Sequence, residues 1–554
     1  MLDRPDARPA ARPVAGFVLL IALAALCAGG KAILHDTMDP DCFWHLRVAD
    51  QLHREGIGPI VDHISFASLK TPWTPYSWLA ELAMRAIWNF GDYRAAVVVQ
   101  ALMQSAIIAF MAMACVELQR QPQAGGEPRY FSAALATFTG GFLTLAFLSF
   151  RPVTTAFVLL WACTWLVLRD RRMNENSRAI WLLVPITALA TNIHLFAFFI
   201  PAVVLAMLLG AIYERRVSTS MQASPTPDLQ RTRDEPDASR APQNPGRRST
   251  SEPGVGVACE LSRRIRRYLI LLIAVSLAYL ATPMLPGTMR TVMFYGARDE
   301  MVRNGRIAEM QFFARGGFGI ASAIIVAGIV ACVIWHHRRL RLGEIICFIA
   351  GLALLFKYAR FSPVFAMAAA PALAATLPRL RDEVLGKRLI TAVMALVLVA
   401  GVVRVAMKLP RPNQTLCAWL GRHGPDAPSY PCSAADYVWN SVTPANGKII
   451  NEFGWGGYLG WRLQGRFQVL MDGRTQCFSS EFWHAVYLDG EDARRKYLAK
   501  LKVDAAILPA QKSQFHDALQ SFGWISVYKD KQSEVMVPAP PRRTIPYREP
   551  PLAA

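Results

Sequence analysis

Charged residues are scarce in this chain, since Asp, Glu, Lys and Arg make up 18% of its 554 residues whereas hydrophobic residues make up 53%. Soluble globular domains carry about 25% charged residues. The deficit excludes an ordinary soluble protein and predicts a polytopic membrane protein. The formal net charge of +20 would indicate nucleic acid in a soluble chain. Here the arginines cluster between apolar segments, as the positive-inside rule expects, so we predict no nucleic-acid partner.

Signatures of structural metal sites and nucleotide sites are also missing. The ten cysteines include no C-x-x-C pair and no Cys/His cluster at metal-ligand spacing, so no structural zinc site is predicted. The glycine-rich run at 454–457 lacks the spacing of a dinucleotide or P-loop fingerprint. Cys417, Cys432 and Cys477 lie in a region that we place outside the cytoplasm. They are candidates for a disulfide, with no sequence signal for which pair forms it.

Long apolar runs dominate the first 408 residues, and each is long enough, or nearly so, to cross about 30 Å of hydrocarbon. The eleven runs are 14–34, 93–116, 130–150, 153–168, 179–191, 194–213, 267–284, 316–335, 343–358, 362–377 and 389–407. After them, strand-length apolar stretches alternate with helical patterns. The predicted fold is therefore mainly α, a transmembrane bundle of about 11 spans with a small C-terminal soluble α/β domain.

Changes in composition divide the chain into five parts. Residues 217–258 are rich in Ser, Pro, Gln and Arg and have no hydrophobic period, which is typical of a disordered linker. The predicted order is an N-terminal transmembrane half (1–216) with its first extracytoplasmic loop (35–92), the cytoplasmic linker (217–258), a second transmembrane half (259–408), an α/β domain (409–537) and a Pro-rich disordered tail (538–554).

The first loop begins with the sequence DPDCFWHL at 39–46. Asp39 and Asp41 are one residue apart and can reach the same group, and Pro40 biases Asp39 toward an extended conformation. Such a pair can bind a divalent metal, here Mg²⁺ or Mn²⁺, or one carboxylate can take a proton while the other holds a substrate. The alternative is a solvated acidic turn with interfacial aromatic residues. The helix expected at 41–54 would lie on the membrane surface.

The loop resembles the first extracytoplasmic loop of the GT-C superfamily of bacterial membrane glycosyltransferases. The resemblance rests on DPDCFWHL at 39–46, Gly-Pro at 58–59, DHISF at 62–66, Trp73 and WLAE at 78–81. It implies a branch with a C-terminal periplasmic domain, a polyprenyl-phosphate sugar as donor and inverting transfer to a glycan, lipid or protein acceptor. It also implies that Asp39 or Asp41 is the catalytic base. The rival interpretation is a non-catalytic membrane transporter or envelope-assembly scaffold.

An anionic lipid phosphate at the outer interface calls for cations there. The segments assigned to that side contain Arg151, Arg290, Arg298, Arg303, Arg306 and Arg360. Arg360 stands between two apolar spans, where an arginine is costly unless it is paired or snorkels to the interface. The predicted substrate-binding residues are His45, Arg47, Asp62, His63, Trp78, Glu81, Glu309 and Arg360. His194 fits a packing or interfacial histidine better than a base.

Asp472, Gly473 and Arg474 follow a predicted strand in the C-terminal domain. Such positions often bind ligands in α/β domains. A turn closed by an Asp–Arg pair explains the same residues equally well, so both interpretations stay open.

The arginine-rich connections all lie on one side if the N-terminus is cytoplasmic, which places the α/β domain in the periplasm and the spans in the bacterial inner membrane. We expect reporter fusions at residue 230 to be active in the cytoplasm and fusions at residue 500 to be active outside it. A cytoplasmic signal at 500 would contradict the extracytoplasmic site.

Overall fold

The computed structural model describes residues 11–34, 38–121, 126–223, 253–294, 299–421, 430–511 and 513–539. Its N-terminal part consists of helices. They are α1 (Ala11–Leu34), α2 (Pro40–Glu55), α3 (Trp78–Gln119), α4 (Tyr130–Leu145), α5 (Pro152–Arg172), α6 (Leu183–Ala190), α7 (Phe199–Ala223), α8 (Pro253–Tyr279), α9 (Leu285–Phe294), α10 (Glu300–Arg303), α11 (Gly316–Trp335), α12 (Leu342–Lys357), α13 (Ser362–Thr376), α14 (Glu383–Gly386), α15 (Arg388–Lys408) and α16 (Leu416–Leu420).

Within the described residues, six helical segments are long and apolar enough to cross a bilayer. They are Pro13–Leu34, Trp78–Gln119, Pro152–Arg172, Leu195–Val217, Gly316–Trp335 and Arg388–Lys408. The chain is thus a multi-pass membrane protein, as predicted, but the count of about 11 spans is not confirmed. One reason is length, because α4 and α12 have 16 residues each, fewer than the roughly 20 that a full crossing needs.

Two prolines lie at the starts of helices. Pro152 and Pro363 lie in the first turns of α5 and α13, where the missing N–H costs no helical hydrogen bond. The interruption in α3 comes from Gly91 and Asp92, which both have non-helical backbone angles. The apolar run predicted at 93–116 is therefore the second half of α3, and its first half starts at Trp78, inside the predicted loop 35–92.

The helices α7 and α8 extend into the segment predicted as a linker, 217–258. Helix α7 ends at Ala223 and α8 begins at Pro253. The residues between them, 224–252, lie outside the described part of the chain. Residues 540–554 of the predicted Pro-rich tail also lie outside it.

The C-terminal part is an α/β domain with one five-stranded sheet in the order β2-β1-β3-β5-β4. Strand β1 pairs in parallel with β2 and β3, whereas β5 is antiparallel to β3 and β4. Its elements are α17 (Cys432–Ser441), β1 (Lys448–Asn451), α18 (Gly456–Arg462), β2 (Gln468–Val469), α19 (Ser480–Trp483), α20 (Glu491–Leu498), β3 (Ala505–Pro509), α21 (His516–Ser521), β4 (Trp524–Lys529) and β5 (Ser533–Pro538).

This domain packs directly on the first loop. Ser65 forms a parallel bridge to Val469 beyond the outer edge of β2, and its hydroxyl donates to the Leu470 carbonyl at 2.6 Å. Phe43 of α2 is fully buried and meets the rings of Tyr458 and Trp461 at centroid distances of 5.2 Å. The loop and the α/β domain therefore share one hydrophobic core.

The predicted position of the first-loop helix is wrong. Helix α2 does form, but Cys42, Phe43, Leu46 and Val48 are fully buried between α3 and α18. A single sequence shows one apolar face on this helix and cannot show that a domain some 400 residues later covers it. The helix is an internal element and does not lie on the membrane surface.

Cys417 and Cys432 form a disulfide across a sequence separation of 15 residues, and Cys477 is a buried free thiol. The bond links the segment after α15 to the first helix of the α/β domain. It resolves the choice that the sequence left open among the three cysteines.

Replacing Cys417 and Cys432 by serine should lower the free energy of unfolding by about 3 kcal/mol, the loss expected for a loop of this length. Non-reducing peptide mapping should recover the two cysteines in one cross-linked peptide. Cys27→Ala, at an exposed free thiol in α1, is the control and should unfold like the parent. Alkylation of both Cys417 and Cys432 without reductant would contradict the pairing.

Candidate active site

The acidic pair at the start of α2 has two different environments. Asp39 caps the helix, because its Oδ1 accepts the backbone N–H of Asp41 at 2.7 Å. Its Oδ2 accepts the Ser149 hydroxyl at 3.2 Å and lies 3.2 Å from Nε of Arg151. Both oxygens of Asp39 are therefore bonded within the protein.

Asp41 lines a cavity between the membrane helices and the α/β domain, with an empty volume of about 780 Å³. Its Oδ1 accepts the indole N–H of Trp44 at 2.9 Å, and its Oδ2 lies 3.0 Å from the guanidinium of Arg151. Burial raises the pKa of Asp41 above its ordinary value, and the charge of Asp39 raises it further. The side chain is consequently a stronger base than an exposed aspartate.

Arg151, the residue immediately before α5, contacts both carboxylates. Its guanidinium reaches Asp39 through Nε and Asp41 through a terminal nitrogen. Burial alone would lower the pKa of Arg151, but the carboxylates of Asp39, Glu309 and Asp41 outweigh burial and raise the pKa. The sequence predicts Arg151 as an outer cation, but no local pattern relates it to the acidic pair 110 residues earlier.

The lining of the cavity also includes the predicted residues Glu309 and Arg360. Arg360 lies between α12 and α13 and pairs with Glu309 at 3.1 Å. Although burial opposes ionisation, Arg360 and Arg151 lower the pKa of Glu309, so its carboxylate is charged. His194 also lines this cavity, although the sequence favoured a packing role for it. The cavity thus brings together Asp41, His45, Glu309 and Arg360 of the predicted site residues.

The C-terminal domain closes the cavity with residues 473–476 and Phe453. Arg474 is fully buried and pairs with Asp472 at 2.5 Å and with Asp62 of the first loop at 2.8 Å. Its guanidinium also lies 5.9 Å from the ring centre of Trp44 and 5.5 Å from that of Trp73. The Asp–Arg turn that the sequence allowed is present, and it borders the cavity as well.

Asp62 has a structural position away from the cavity. Burial would raise its pKa, but the charge of Arg474 overcomes this and lowers the pKa to about 2. Its two oxygens also accept the backbone N–H groups of Ile64 and Ser65. Asp62 therefore fixes the turn that carries the first loop to the edge of the sheet.

His45 and Glu81 form a buried pair, with 3.0 Å between Nδ1 and Oε1. Only His45 of the two borders the cavity. Burial and the charge of Arg151 lower the pKa of His45 well below its ordinary value. Glu81 acts behind the histidine and holds the orientation of its ring.

Three other predicted site residues lie away from the cavity lining. The Trp78 indole donates to the Asn192 side chain at 2.8 Å at the start of α3. His63 is exposed and lies 3.5 Å from Glu55. Arg47 is buried in α2, and burial lowers its pKa to about 10. These residues support the first loop and do not contact the space around Asp41.

The acidic pair does not fit a resident Mg²⁺ or Mn²⁺ site as arranged. The Oδ2 atoms of Asp39 and Asp41 both face Arg151, which occupies the position that a bridging cation would take. Among the described residues, no group of three or more His, Cys, Asp or Glu side chains is placed to hold a metal ion. A divalent cation normally takes more protein oxygens or several waters.

No protein-family model matches the chain, and no curated protein matches it. Solved structures with a similar course of the chain include the apo oligosaccharyltransferase of Archaeoglobus fulgidus, at 13% identity and a TM-score of 0.45 over 89% of this chain and 69% of that one. Two others are ArnT from Cupriavidus metallidurans, apo and bound to undecaprenyl phosphate. Each has 14% identity and a TM-score of 0.44 over 94% of this chain and 98% of that one.

The α/β domain approaches the acidic pair closely at Gly473, where an added Cβ would lie 2.2 Å from Oδ1 of Asp41. Gly473→Ala should therefore push the two elements apart and lower the free energy of unfolding by about 1–3 kcal/mol. Thermal unfolding of the purified protein measures this. Gly454→Ala, where an added Cβ meets nothing within 4 Å, is the matched control. Equal melting of both variants and the parent would contradict the contact.

Proposed function

We propose that this chain is an integral membrane glycosyltransferase of the GT-C type. It would transfer a sugar from a polyprenyl-phosphate donor to a hydroxyl of a glycan, lipid or protein acceptor outside the cytoplasm. One observation carries the proposal: a half-buried carboxylate with a raised pKa, Asp41, shares a cavity with the cation Arg360 at the junction of the membrane helices and the α/β domain. Sugar transfer from a lipid phosphate needs both a base and a site for the anion.

Asp41 is the better candidate for the base. Both carboxylates have both oxygens bonded within the protein, but only Asp41 lines the cavity, whereas Asp39 caps the helix. In the proposed step, the acceptor oxygen attacks the anomeric carbon while the bond from that carbon to the phosphate oxygen breaks. The acceptor proton passes to Asp41, and polyprenyl phosphate leaves with the electron pair. A single displacement of this kind inverts the anomeric centre.

The leaving phosphate would be bound on the side of Arg360. Arg151 and Arg360 both border the cavity, and a guanidinium forms charge-assisted hydrogen bonds with phosphate oxygens. Glu309 holds Arg360 at 3.1 Å and so orients the guanidinium. This pairing explains how an arginine between two apolar helices is tolerated near membrane depth.

A second cavity provides space for the lipid chain. It lies among α5, α7, α12 and α13, is lined almost entirely by apolar side chains and has an empty volume of about 890 Å³. Phe199 lines it and meets the ring of Phe361 at 6.3 Å, and Phe361 follows Arg360 in the chain. This contact relates the apolar cavity to the segment that carries Arg360, which supports a lipid chain in the cavity and its phosphate at Arg360.

The proposed orientation has the N-terminus in the cytoplasm and the α/β domain outside, in the periplasm of a bacterium with two membranes. Disulfides form and persist in oxidising compartments. The Cys417–Cys432 bond therefore supports an outer location for the segment that carries it, in agreement with the distribution of arginines.

Asp41→Asn should lower sugar transfer by roughly 100-fold or more, because the amide cannot accept the proton. Asp39→Asn should cost less, since it weakens a cap and an ion pair and keeps the base. The measurement is polyprenyl phosphate released in proteoliposomes from a panel of polyprenyl-phosphate sugars and candidate acceptors. Asp50→Asn is the control, because Asp50 lies on the same helix and pairs with Arg85 at 2.8 Å away from the cavity.

Parental transfer by the Asp41→Asn variant would refute the assignment of the base. A metal-dependent enzyme would give a different result, with both Asn variants inactive and the parent inhibited by a chelator. Release of polyprenyl phosphate unaffected by chelator is the expected outcome, since Arg151 already occupies the space between the carboxylates.

A further inference from the structure

His194 lies in the turn between α6 and α7, where the chain passes the cavity. Its Nδ1 accepts the backbone N–H of Phe196 at 3.2 Å and caps the short helical turn Leu195–Phe198. A nitrogen that accepts a hydrogen bond carries no proton, so the proton of the neutral imidazole is on Nε2. The capping bond thereby determines the tautomer of this histidine.

The surroundings of the His194 imidazole also fix its orientation and its charge state. Phe196 and Tyr76 meet it edge to face at centroid distances of 4.6 and 6.1 Å. Burial, together with the nearby guanidinium groups of Arg360 and Arg151, lowers the pKa of His194 well below its ordinary value. The side chain is 4% exposed and borders the cavity. It is therefore a neutral imidazole with a fixed Nε2–H donor.

We propose that the Nε2–H of His194 donates a hydrogen bond to the phosphate of a polyprenyl-phosphate ligand, between the guanidinium groups of Arg151 and Arg360. This inference rests on the function proposed above and identifies a further ligand-binding residue. A neutral donor adds a directional bond without placing a third positive charge in a buried cavity. Because the cap uses Nδ1, Nε2 is the ring nitrogen that can serve a ligand in the cavity lined by His194, Arg151 and Arg360.

Two substitutions of His194 distinguish the role of Nδ1 in the cap from the role of Nε2 as a donor. His194→Asn places an amide oxygen where it can accept the Phe196 N–H, since Asn is a good helix cap, but removes the donor at Nε2. His194→Gln places an amide nitrogen near the position of Nε2 but loses the capping hydrogen bond from the Phe196 N–H. The probe is undecaprenyl phosphate, titrated into the full-length protein in lipid nanodiscs, with undecaprenol as the ligand that lacks phosphate.

A hydrogen bond to a charged group contributes about 1.5–3 kcal/mol, which corresponds to roughly 10- to 100-fold in affinity. His194→Asn should weaken binding of undecaprenyl phosphate by at least about tenfold, melt near the parental temperature and leave binding of undecaprenol unchanged. His194→Gln should bind within about threefold of the parent. Parental affinity in His194→Asn, or equal losses in both variants, would overturn the proposal.

A measurement on the parental chain avoids dependence on folded variants. With ¹⁵N-labelled histidine, undecaprenyl phosphate should shift one Nε2–H resonance that is absent from the spectrum of His194→Gln. No shift on addition of the ligand would also overturn the role of His194. Failure of the proposed function gives another pattern, because the parent itself would then bind undecaprenyl phosphate no more tightly than undecaprenol.

Discussion

The site depends on the two buried ion pairs of the Arg474 guanidinium. It pairs with Asp472 of its own turn and with Asp62 of the first loop, and all three side chains are fully buried. Removing one member of a buried ion pair costs about 3–5 kcal/mol, because the remaining charge is left uncompensated. The α/β domain therefore occupies one position on the first loop, and the residues after Arg474 close the cavity from that position.

Helix α2 contacts both the membrane helices and the α/β domain. An added Cβ at Gly457 would lie 2.3 Å from the carbonyl of Pro40, and one at Gly473 would reach Asp41. Only glycine permits the domain to approach this closely. The α/β domain covers part of Asp41 and so raises its pKa by burial, whereas Arg151 of the membrane part lowers it. The basicity of Asp41 therefore depends on both parts of the protein.

The sequence contains the local features of this arrangement. Pro40 biases Asp39 toward an extended conformation, and Asp39 is extended immediately before the helix that begins at Pro40. The scarcity of charge predicts a multi-pass membrane protein, which the helices confirm. The contacts between distant residues left no local pattern, since Arg151 is 110 residues from Asp41 and Arg474 is 412 residues from Asp62. The burial of α2 and the position of His194 at the cavity both depend on such contacts.

The order of residues has a consequence for biosynthesis. Ribosomes make the chain from its N-terminus, and N-terminal segments generally fold first. Asp62 and the acidic pair thus emerge long before the turn that contains Arg474 exists. Until that turn docks, Asp62 lacks its buried partner and the space around Asp41 is open to water. The protein consequently gains a sheltered carboxylate with a raised pKa only when its α/β domain is complete, and a chain terminated before that domain would sit in the membrane without one.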